Sequence, residues 1–149
     1  MLVYNELRDG QHVDVGLWIA HGAIRVFASG QATVWAYDGV RVWSSGQAMV
    51  YLSGASRLLF GDSSRAQIKE RSRAVAFDTS ACRSSGGQHI ELYGHSYVWA
   101  VPDHVVRLRM YGRTQADLRG NFLGRALFFD RASGMIDRAS TAARFLDPG

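Results

Sequence analysis

The stretch SGQATVWAYDGVRVWSSGQAMVYLSG, residues 29–54, contains one motif twice: Ser-Gly-Gln-Ala begins at Ser29 and again at Ser45. Repetition at a fixed interval is the signature of repeat architectures, in which each unit buries its apolar side against the next unit. The interval of sixteen residues therefore predicts that Ser29 and Ser45 occupy equivalent places in successive units.

Three rows of small or apolar residues recur every eight positions around this stretch. The second row begins at Ala28 and the third at Ile24, where it later turns to serine at 56, 64, 72 and 80. Because side chains alternate between the two faces of a strand, this pattern predicts short strands with one buried face. The first row is Val26, Val34, Val42, Val50, Leu58, Ala66, Ala74, Cys82, Ile90, Val98 and Val106.

Turn-forming residues separate these strands. Gly or Asp occupies nearly every eighth position from Gly22 to Gly94, Pro102 follows, and Glu70 is the exception. Glycine adopts positive φ without a steric penalty, and aspartate bonds to its own backbone, so both residues favour tight turns. We therefore expect a corner every eight residues.

Strands at this spacing fit either an antiparallel sandwich or a parallel β-solenoid. Sandwich sheets lie about 10 Å apart and need large side chains between them, whereas the inward rows here are mostly Ala, Val and Ser. Arginine recurs every sixteen residues, at Arg25, Arg41, Arg57 and Arg73. The sequence predicts an all-β, parallel β-solenoid with sixteen residues per two-strand coil, a twenty-four-residue coil being the alternative.

The repeat divides the chain into three parts. We expect residues 1–21, including Trp18, to form an N-terminal cap and residues 22–110 to form the solenoid. Five or six coils would make a rod about 25 Å long at the usual strand spacing. The register fails after Arg109, so residues 111–149 are predicted to be a non-repeat tail for docking or oligomerisation, with a short helix from Ser140 to Leu146.

Composition limits the classes of function. The chain has 149 residues, 47% of them hydrophobic and 20% charged, which predicts one folded domain. No apolar run is long enough to span a bilayer, and the start lacks the pattern of a secretion signal, so we expect synthesis in the cytoplasm and no membrane partner. The net charge of +4 is a mild bias, and nucleic acid is therefore not the expected partner.

The outward positions supply the candidate binding residues. Aromatic side chains at Trp35, Tyr37, Trp43 and Tyr51 would form ladders that either bind a partner or steady the sheet by cross-strand stacking. The arginine series would place like charges side by side, which favours either a solvated face or an anionic partner. In the tail, Phe122, Phe128 and Phe129 are the candidate docking residues.

No catalytic or cofactor site is predicted. His89, Glu91 and His95 could form a metal site, but a surface cluster is the preferred interpretation, because His95 falls beyond the strand. Asp62 and Asp78 could bind calcium at a corner, yet they lack the dense repeat that such sites use. The chain has three Glu and no phosphate-binding loop, so we expect a protein without enzymatic activity, metal or cofactor.

The units Ala32-Thr-Val-Trp-Ala-Tyr-Asp38 and Ala48-Met-Val-Tyr-Leu-Ser-Gly54 resemble the Ala-Thr-Val-x-Ala-Tyr type of eight-residue repeat in β-solenoid proteins of actinobacteria and their phages. The resemblance is good over residues 22–60 and extends to 110 only in phase. It implies a rigid virion part, such as a capsid decoration or tail component, made in the host cytoplasm. It also implies another virion protein as the partner, for example a major capsid protein, and a homo-oligomer.

Two alternatives of other classes remain open. The aromatic ladders could make the chain a glycan-binding or surface-binding module, since Trp and Tyr provide large rigid contact areas. The solenoid could also polymerise end to end into a filament.

Overall fold

The computed structural model describes residues 5–84, 89–100, 107–118, 125–129, 133–136 and 143–146. All regular elements in these ranges are β-strands, and every pair of neighbouring strands is parallel. The strands form two sheets of nine strands each, and consecutive strands of the chain alternate between the sheets. The predicted all-β, parallel β-solenoid is thereby confirmed. No helix in the described ranges is long and apolar enough to cross a membrane.

The odd-numbered strands form the first sheet, which we call sheet A. In spatial order it contains β1 (Asn5–Glu6), β3 (Leu17–His21), β5 (Thr33–Tyr37), β7 (Met49–Leu52), β9 (Arg65–Ile68), β11 (Ala81–Ser84), β13 (Tyr97–Ala100), β15 (Gln115–Leu118) and β17 (Ser133–Ile136).

The even-numbered strands form sheet B. It contains β2 (Gln11–Val13), β4 (Arg25–Ala28), β6 (Arg41–Ser44), β8 (Arg57–Phe60), β10 (Arg73–Ala76), β12 (His89–Leu92), β14 (Arg107–Met110), β16 (Arg125–Phe129) and β18 (Ala143–Leu146).

The coil period is sixteen residues through the centre of the chain. Val26 lies beside Val42 on sheet B, and Val34 lies beside Val50 on sheet A. Each coil therefore contributes one strand to each sheet, and the twenty-four-residue alternative is wrong. Because parallel strands lie about 4.8 Å apart, the nine strands of a sheet give a rod about 38 Å long.

The lumen is narrow and filled mainly by small side chains, as the inward rows predict. Val26, Val34 and Ala36 are fully buried, and Phe60 is the largest fully buried side chain. Three of the four inward serines of the third row, Ser64, Ser72 and Ser80, also donate hydrogen bonds from their hydroxyls to backbone carbonyls, whereas the buried Ser56 hydroxyl has no hydrogen-bond partner among the described residues. The Oγ atoms of Ser64 and Ser80 lie 2.6 Å from the carbonyl oxygens of Gly61 and Phe77.

The corners are left-handed turns, and three of them carry carboxylates that bind the previous coil. Asp62, Glu70 and Asp78 adopt φ of 52°, 59° and 58°. The Glu70 Oε2 atom accepts a hydrogen bond of 2.7 Å from the Gly54 N–H, and Asp62 Oδ2 accepts one of 3.0 Å from the Gly46 N–H. Glu70 was the exception among the predicted turn residues, and this hydrogen bond offsets its unfavourable φ.

Parallel pairing extends beyond residue 22 toward the N-terminus. Strands β1 and β2 pair with β3 and β4, and Trp18 lies beside Val34 in the inward row. Trp18 is partly buried and packs against the core. We had expected it to belong to a cap that closes the first coil. The predicted boundary between cap and solenoid at residues 21 and 22 therefore does not mark the start of the coils.

The coils also continue beyond residue 110, so the prediction of a non-repeat tail from 111 is wrong for the described strands. Ile90 pairs with Leu108 and Leu108 pairs with Ala126, which sets the local period at eighteen residues. The added residues lie outside the paired strands, in which Ile90, Leu108 and Ala126 share one line, so the inward and outward alternation within each strand is kept. The coil therefore tolerates two extra residues, although the eight-residue rows lose phase.

The predicted helix from Ser140 to Leu146 is wrong over residues 143–146, which form β18 and pair with β16. A helix of seven residues has no stability of its own, because nucleation costs more than so few hydrogen bonds return. The edge of β16, by contrast, provides hydrogen-bonding partners for the backbone of residues 143–146. Residues 140–142 lie outside the described residues.

We expect the inward and outward positions of β8 to respond very differently to truncation. Phe60→Ala should lower the free energy of unfolding by about 3–5 kcal/mol, because it leaves a cavity in the lumen. The neighbouring Leu59 is 38% exposed, so Leu59→Ala should cost less than about 1 kcal/mol. Urea unfolding followed by far-ultraviolet circular dichroism measures both values, and equal losses would contradict the solenoid register.

The Glu70 corner gives a second stability test. Glu70→Ala removes the hydrogen bond to Gly54 and keeps the left-handed backbone, so we expect a loss of about 1 kcal/mol in the free energy of unfolding. Glu70→Gln retains an acceptor oxygen and should remain close to the native value. If the two variants unfold at the same urea concentration, the Glu70 side chain does not stabilise the corner.

Candidate binding surface

The outer surface of sheet B carries a line of arginines, which we call the arginine file: Arg25, Arg41, Arg57 and Arg73. Each pairs with the next at Cα level on adjacent parallel strands. All four are exposed, and His89 follows Arg73 in the same line. The equivalent line of sheet A contains Thr33, Met49, Arg65 and Ala81, so the repeated positive charge distinguishes one face of the rod.

Among the described residues, only Arg25 of the arginine file has a carboxylate partner. The Arg25 Nε atom lies 3.5 Å from Asp9 Oδ1, and the Arg25 N–H donates to the same oxygen at 2.8 Å. This backbone hydrogen bond, helped by the guanidinium, lowers the pKa of Asp9. Arg41, Arg57 and Arg73 have no ion pair or hydrogen-bonded side-chain partner within the described ranges.

A second line on sheet B is apolar, and we call it the apolar ridge: Phe27, Trp43, Leu59 and Val75. These residues lie two positions after the arginines on the same strands and pair with one another in the same register. The Phe27 and Trp43 rings stack with centroids 5.1 Å apart, and His12 stacks on Phe27 at 4.3 Å. The ridge therefore runs along the rod axis across at least four coils.

Two shallow grooves flank the apolar ridge. One, of about 330 Å³, lies between the ridge and the arginine file and is lined by Arg41, Arg57, Arg73, Trp43 and Leu59 among others. The other, of about 440 Å³, lies on the far side of the ridge. Small residues line part of this second groove, and Phe77, which is 41% exposed, also borders it.

The remaining aromatic candidates lie on sheet A. Trp35 stacks on Tyr51 with centroids 5.0 Å apart, and Tyr37 stacks on His21 at 5.2 Å. The neighbours of Trp35 along the sheet are Ile19 and Tyr51. One face of the Trp35 ring therefore stacks on the next coil, and Ile19 is its neighbour in the preceding coil.

Two of the three candidate docking residues of the tail fall within the described residues. Phe128 and Phe129 lie in β16, which pairs with β14 and β18, and Phe122 lies outside the described residues.

Several surface aromatics escaped the sequence analysis. The Phe77, Tyr93 and Tyr111 rings form a fourth stack, with centroid distances of 5.5 and 4.8 Å. Arg83 Cζ lies 4.6 Å from the centroid of Trp99, which is 45% exposed. Phe77 and Tyr93, like Arg83 and Trp99, are sixteen residues apart, and extending the search to every outward position would have found them.

His89, Glu91 and Tyr93 form a hydrogen-bonded cluster at the end of the groove beside the arginine file. His89 Nε2 lies 2.8 Å from Glu91 Oε1, and the Tyr93 hydroxyl donates to Glu91 Oε2 at 2.9 Å. The contact with His89 is the main cause that lowers the pKa of Glu91, while burial and then Glu91 raise the pKa of Tyr93 to about 12. His95 lies in the corner turn that follows β12, and no group of three metal-ligating side chains occurs in the described part of the chain.

Cys82 lies in the lumen and is fully enclosed. Burial raises the pKa of its thiol to about 12, so the thiol stays protonated at neutral pH and is a poor nucleophile.

Comparison of the chain with protein-family models, with curated proteins and with solved structures gave no match.

The Glu91 cluster gives a pH-dependent prediction. Because the pKa of Glu91 is lowered in the folded state, its contribution to stability is present above the pKa of the unfolded carboxyl, about 4.3, and is lost as the pH falls through the folded value. The stability difference between the native protein and Glu91→Gln should be largest near neutral pH and shrink in acid. Urea unfolding at several pH values measures this difference, and one that is independent of pH would contradict the prediction.

Proposed function

We propose that this protein is a non-enzymatic structural rod that attaches to a partner protein through the outer surface of sheet B. The observation that carries the proposal is the apolar ridge bordered by the arginine file. Protein interfaces combine a central apolar strip, rich in aromatic residues, with a polar rim in which arginine is frequent. The two lines on sheet B have this arrangement.

The rigidity of the sheet supports a structural role. The ridge and the arginine file lie on strands that are hydrogen-bonded to a strand on each side. Side chains on such a fixed surface lose little conformational entropy when a partner binds, because the backbone is already ordered. A rod about 38 Å long also separates whatever binds at its two ends.

The reactive side chains of the described ranges support a role other than catalysis. His89, Glu91 and Tyr93 are engaged with one another, and the Cys82 thiol is sealed in the lumen. A catalytic constellation would instead direct a nucleophile and its base toward a cleft that admits substrate.

We place the rod in a virion, as a capsid decoration or tail component. The support is the resemblance of residues 32–38 and 48–54 to repeats of actinobacterial and phage solenoids. On this proposal the partner is another virion protein, such as a major capsid protein, and several copies of the chain act together. Stiff repeat rods suit such positions, because each repeat is stabilised by its neighbours in the same chain. The rod therefore needs no contact with the partner in order to fold.

The geometry gives less support to the two alternatives. Sugar recognition by stacking needs an exposed ring face, whereas the Trp35, Tyr51 and Trp43 rings lie between residues of neighbouring coils. End-to-end polymerisation needs an uncharged free edge strand, whereas the described part of β1 at the N-terminal end carries the exposed Glu6.

The proposal is tested on particles produced by cells that encode this chain. After purification on a density gradient, quantitative mass spectrometry should find the chain at a fixed number of copies per coat subunit. Leu59→Glu buries a charge in the interface and should reduce the bound copies about tenfold or more. Gln67→Glu adds the same charge at the equivalent outward position of sheet A and should leave the copy number unchanged.

Circular dichroism must first show that both variants fold as the native chain does. A chain recovered entirely outside the particle fraction would overturn the proposed function. Equal loss with Leu59→Glu and Gln67→Glu would overturn the assignment of the contact to sheet B.

A further inference from the structure

We propose that sheet B recognises an acidic amphipathic α-helix of the partner protein. The helix lies along the rod axis, in the groove between the arginine file and the apolar ridge. This inference rests on the proposed function, because it names the chemistry of the partner that the same surface binds.

The charge of the groove requires an anionic partner. Arg41, Arg57 and Arg73 follow one another at the strand spacing of about 4.8 Å, and within the described ranges no carboxylate pairs with any of them. Like charges directly opposite each other on neighbouring strands destabilise a sheet. A row of carboxylates laid over the arginines would relieve this repulsion and form charge-assisted hydrogen bonds.

The opposite wall of the groove excludes a uniform polyanion as the best occupant. Trp43, Leu59 and Val75 line that wall, and Glu91 stands at its end. A phosphate backbone or a polymer of acidic sugars would leave the apolar wall without a matching surface and would approach Glu91 unfavourably. A protein segment with acidic residues on one side and apolar residues on the next matches both walls.

The spacing of the arginines favours a helix over an extended peptide. Residues three and four apart on an α-helix are about 4.5 and 6.0 Å apart along its axis, at 1.5 Å per residue. Residues on one side of an extended strand are about 6.6 Å apart. Carboxylates repeated every three or four residues of a helix therefore follow the arginine spacing of about 4.8 Å more closely than those of a strand.

The groove also sets the length of the bound segment. From Arg41 to His89 the line advances by three strand spacings, which is about 14 Å and corresponds to about ten helical residues. A segment of that length has little helical stability in isolation. We therefore expect the partner helix to be held by its own protein or to fold on binding.

The probe is a fluorescein-labelled, alanine-based peptide of about eighteen residues, long enough to be helical alone. Glutamates occupy one stripe at three- and four-residue intervals, and leucines occupy the neighbouring stripe. Fluorescence anisotropy at about 0.05 M salt, where charge pairs are weakly screened, measures its dissociation constant for the native protein. We expect saturable binding that weakens as salt is added.

Matched variants locate the site. Arg57→Glu should weaken binding of the peptide about tenfold or more, and Leu59→Ala should weaken it to a smaller extent. Arg65→Glu makes the same charge change at an exposed position of sheet A and should leave binding unchanged. A peptide with lysine in place of glutamate should bind the Arg41→Glu, Arg57→Glu, Arg73→Glu triple variant and not the native protein.

Control probes test the helical stripe against charge alone. They are a peptide of the same composition with its residues scrambled, polyglutamate of the same charge, and a single-stranded oligonucleotide of the same charge. Weaker binding of all three supports the proposal. Equal binding of any of them, no binding of the striped peptide, or equal weakening by Arg65→Glu and Arg57→Glu would overturn it.

The particle experiment separates this inference from the proposed function. If Leu59→Glu removes the chain from particles while the striped peptide fails to bind, sheet B is the docking surface and the helical partner is wrong. If the chain is never found in particles, the proposed function is wrong, whatever the peptide does.

Discussion

Backbone hydrogen bonds between successive coils are the constraint on which the rest of this protein depends. They run through the strands and also around the corners, where the Gln47 N–H donates to the Gly30 carbonyl at 2.9 Å and the Ser63 N–H donates to the Gly46 carbonyl at 3.0 Å. Each residue of the central coils is thereby fixed beside the residue sixteen positions earlier. A residue type that recurs every sixteen positions is therefore repeated along the rod at the spacing of about 4.8 Å.

Because equivalent residues of successive coils lie side by side, the type of a repeated residue decides whether the repeat stabilises or destabilises the rod. Aromatic rings gain from being stacked, as Trp35 and Tyr51 do at 5.0 Å, and their ladders stabilise the sheet with no partner. Arginines gain nothing from one another, so the file on sheet B is a cost to the isolated rod. We propose that the aromatic ladders are mainly structural and that the arginines without a carboxylate partner in the described ranges bind an anionic partner.

The repeat rows of the sequence were sufficient to predict the fold of the central coils, the inward residues and the pairing of the arginines and aromatics. The eighteen-residue coils after Ile90 were missed because two added residues break an eight-residue row and preserve the inward and outward alternation. Strand β18 was missed because its hydrogen-bonding partner, β16, is seventeen positions away at Ala126 and Ala143. Only the paired backbone shows such a contact.

The sequence by itself determined the eight-residue spacing of the strands, since small residues recur at every eighth position, whereas the structure decided that two strands make one coil of sixteen residues. The sequence also determined which residues face outward, because alternation along a strand is a local property. The tertiary structure decided which lines of outward side chains lie side by side on one sheet. It also decided which aromatic rings stack on rings of neighbouring coils. It also showed that Glu70 reaches the Gly54 N–H and that three arginines of sheet B pair with no carboxylate of the described ranges. These properties depend on distances between residues of different coils. The order of residues along the chain does not give those distances.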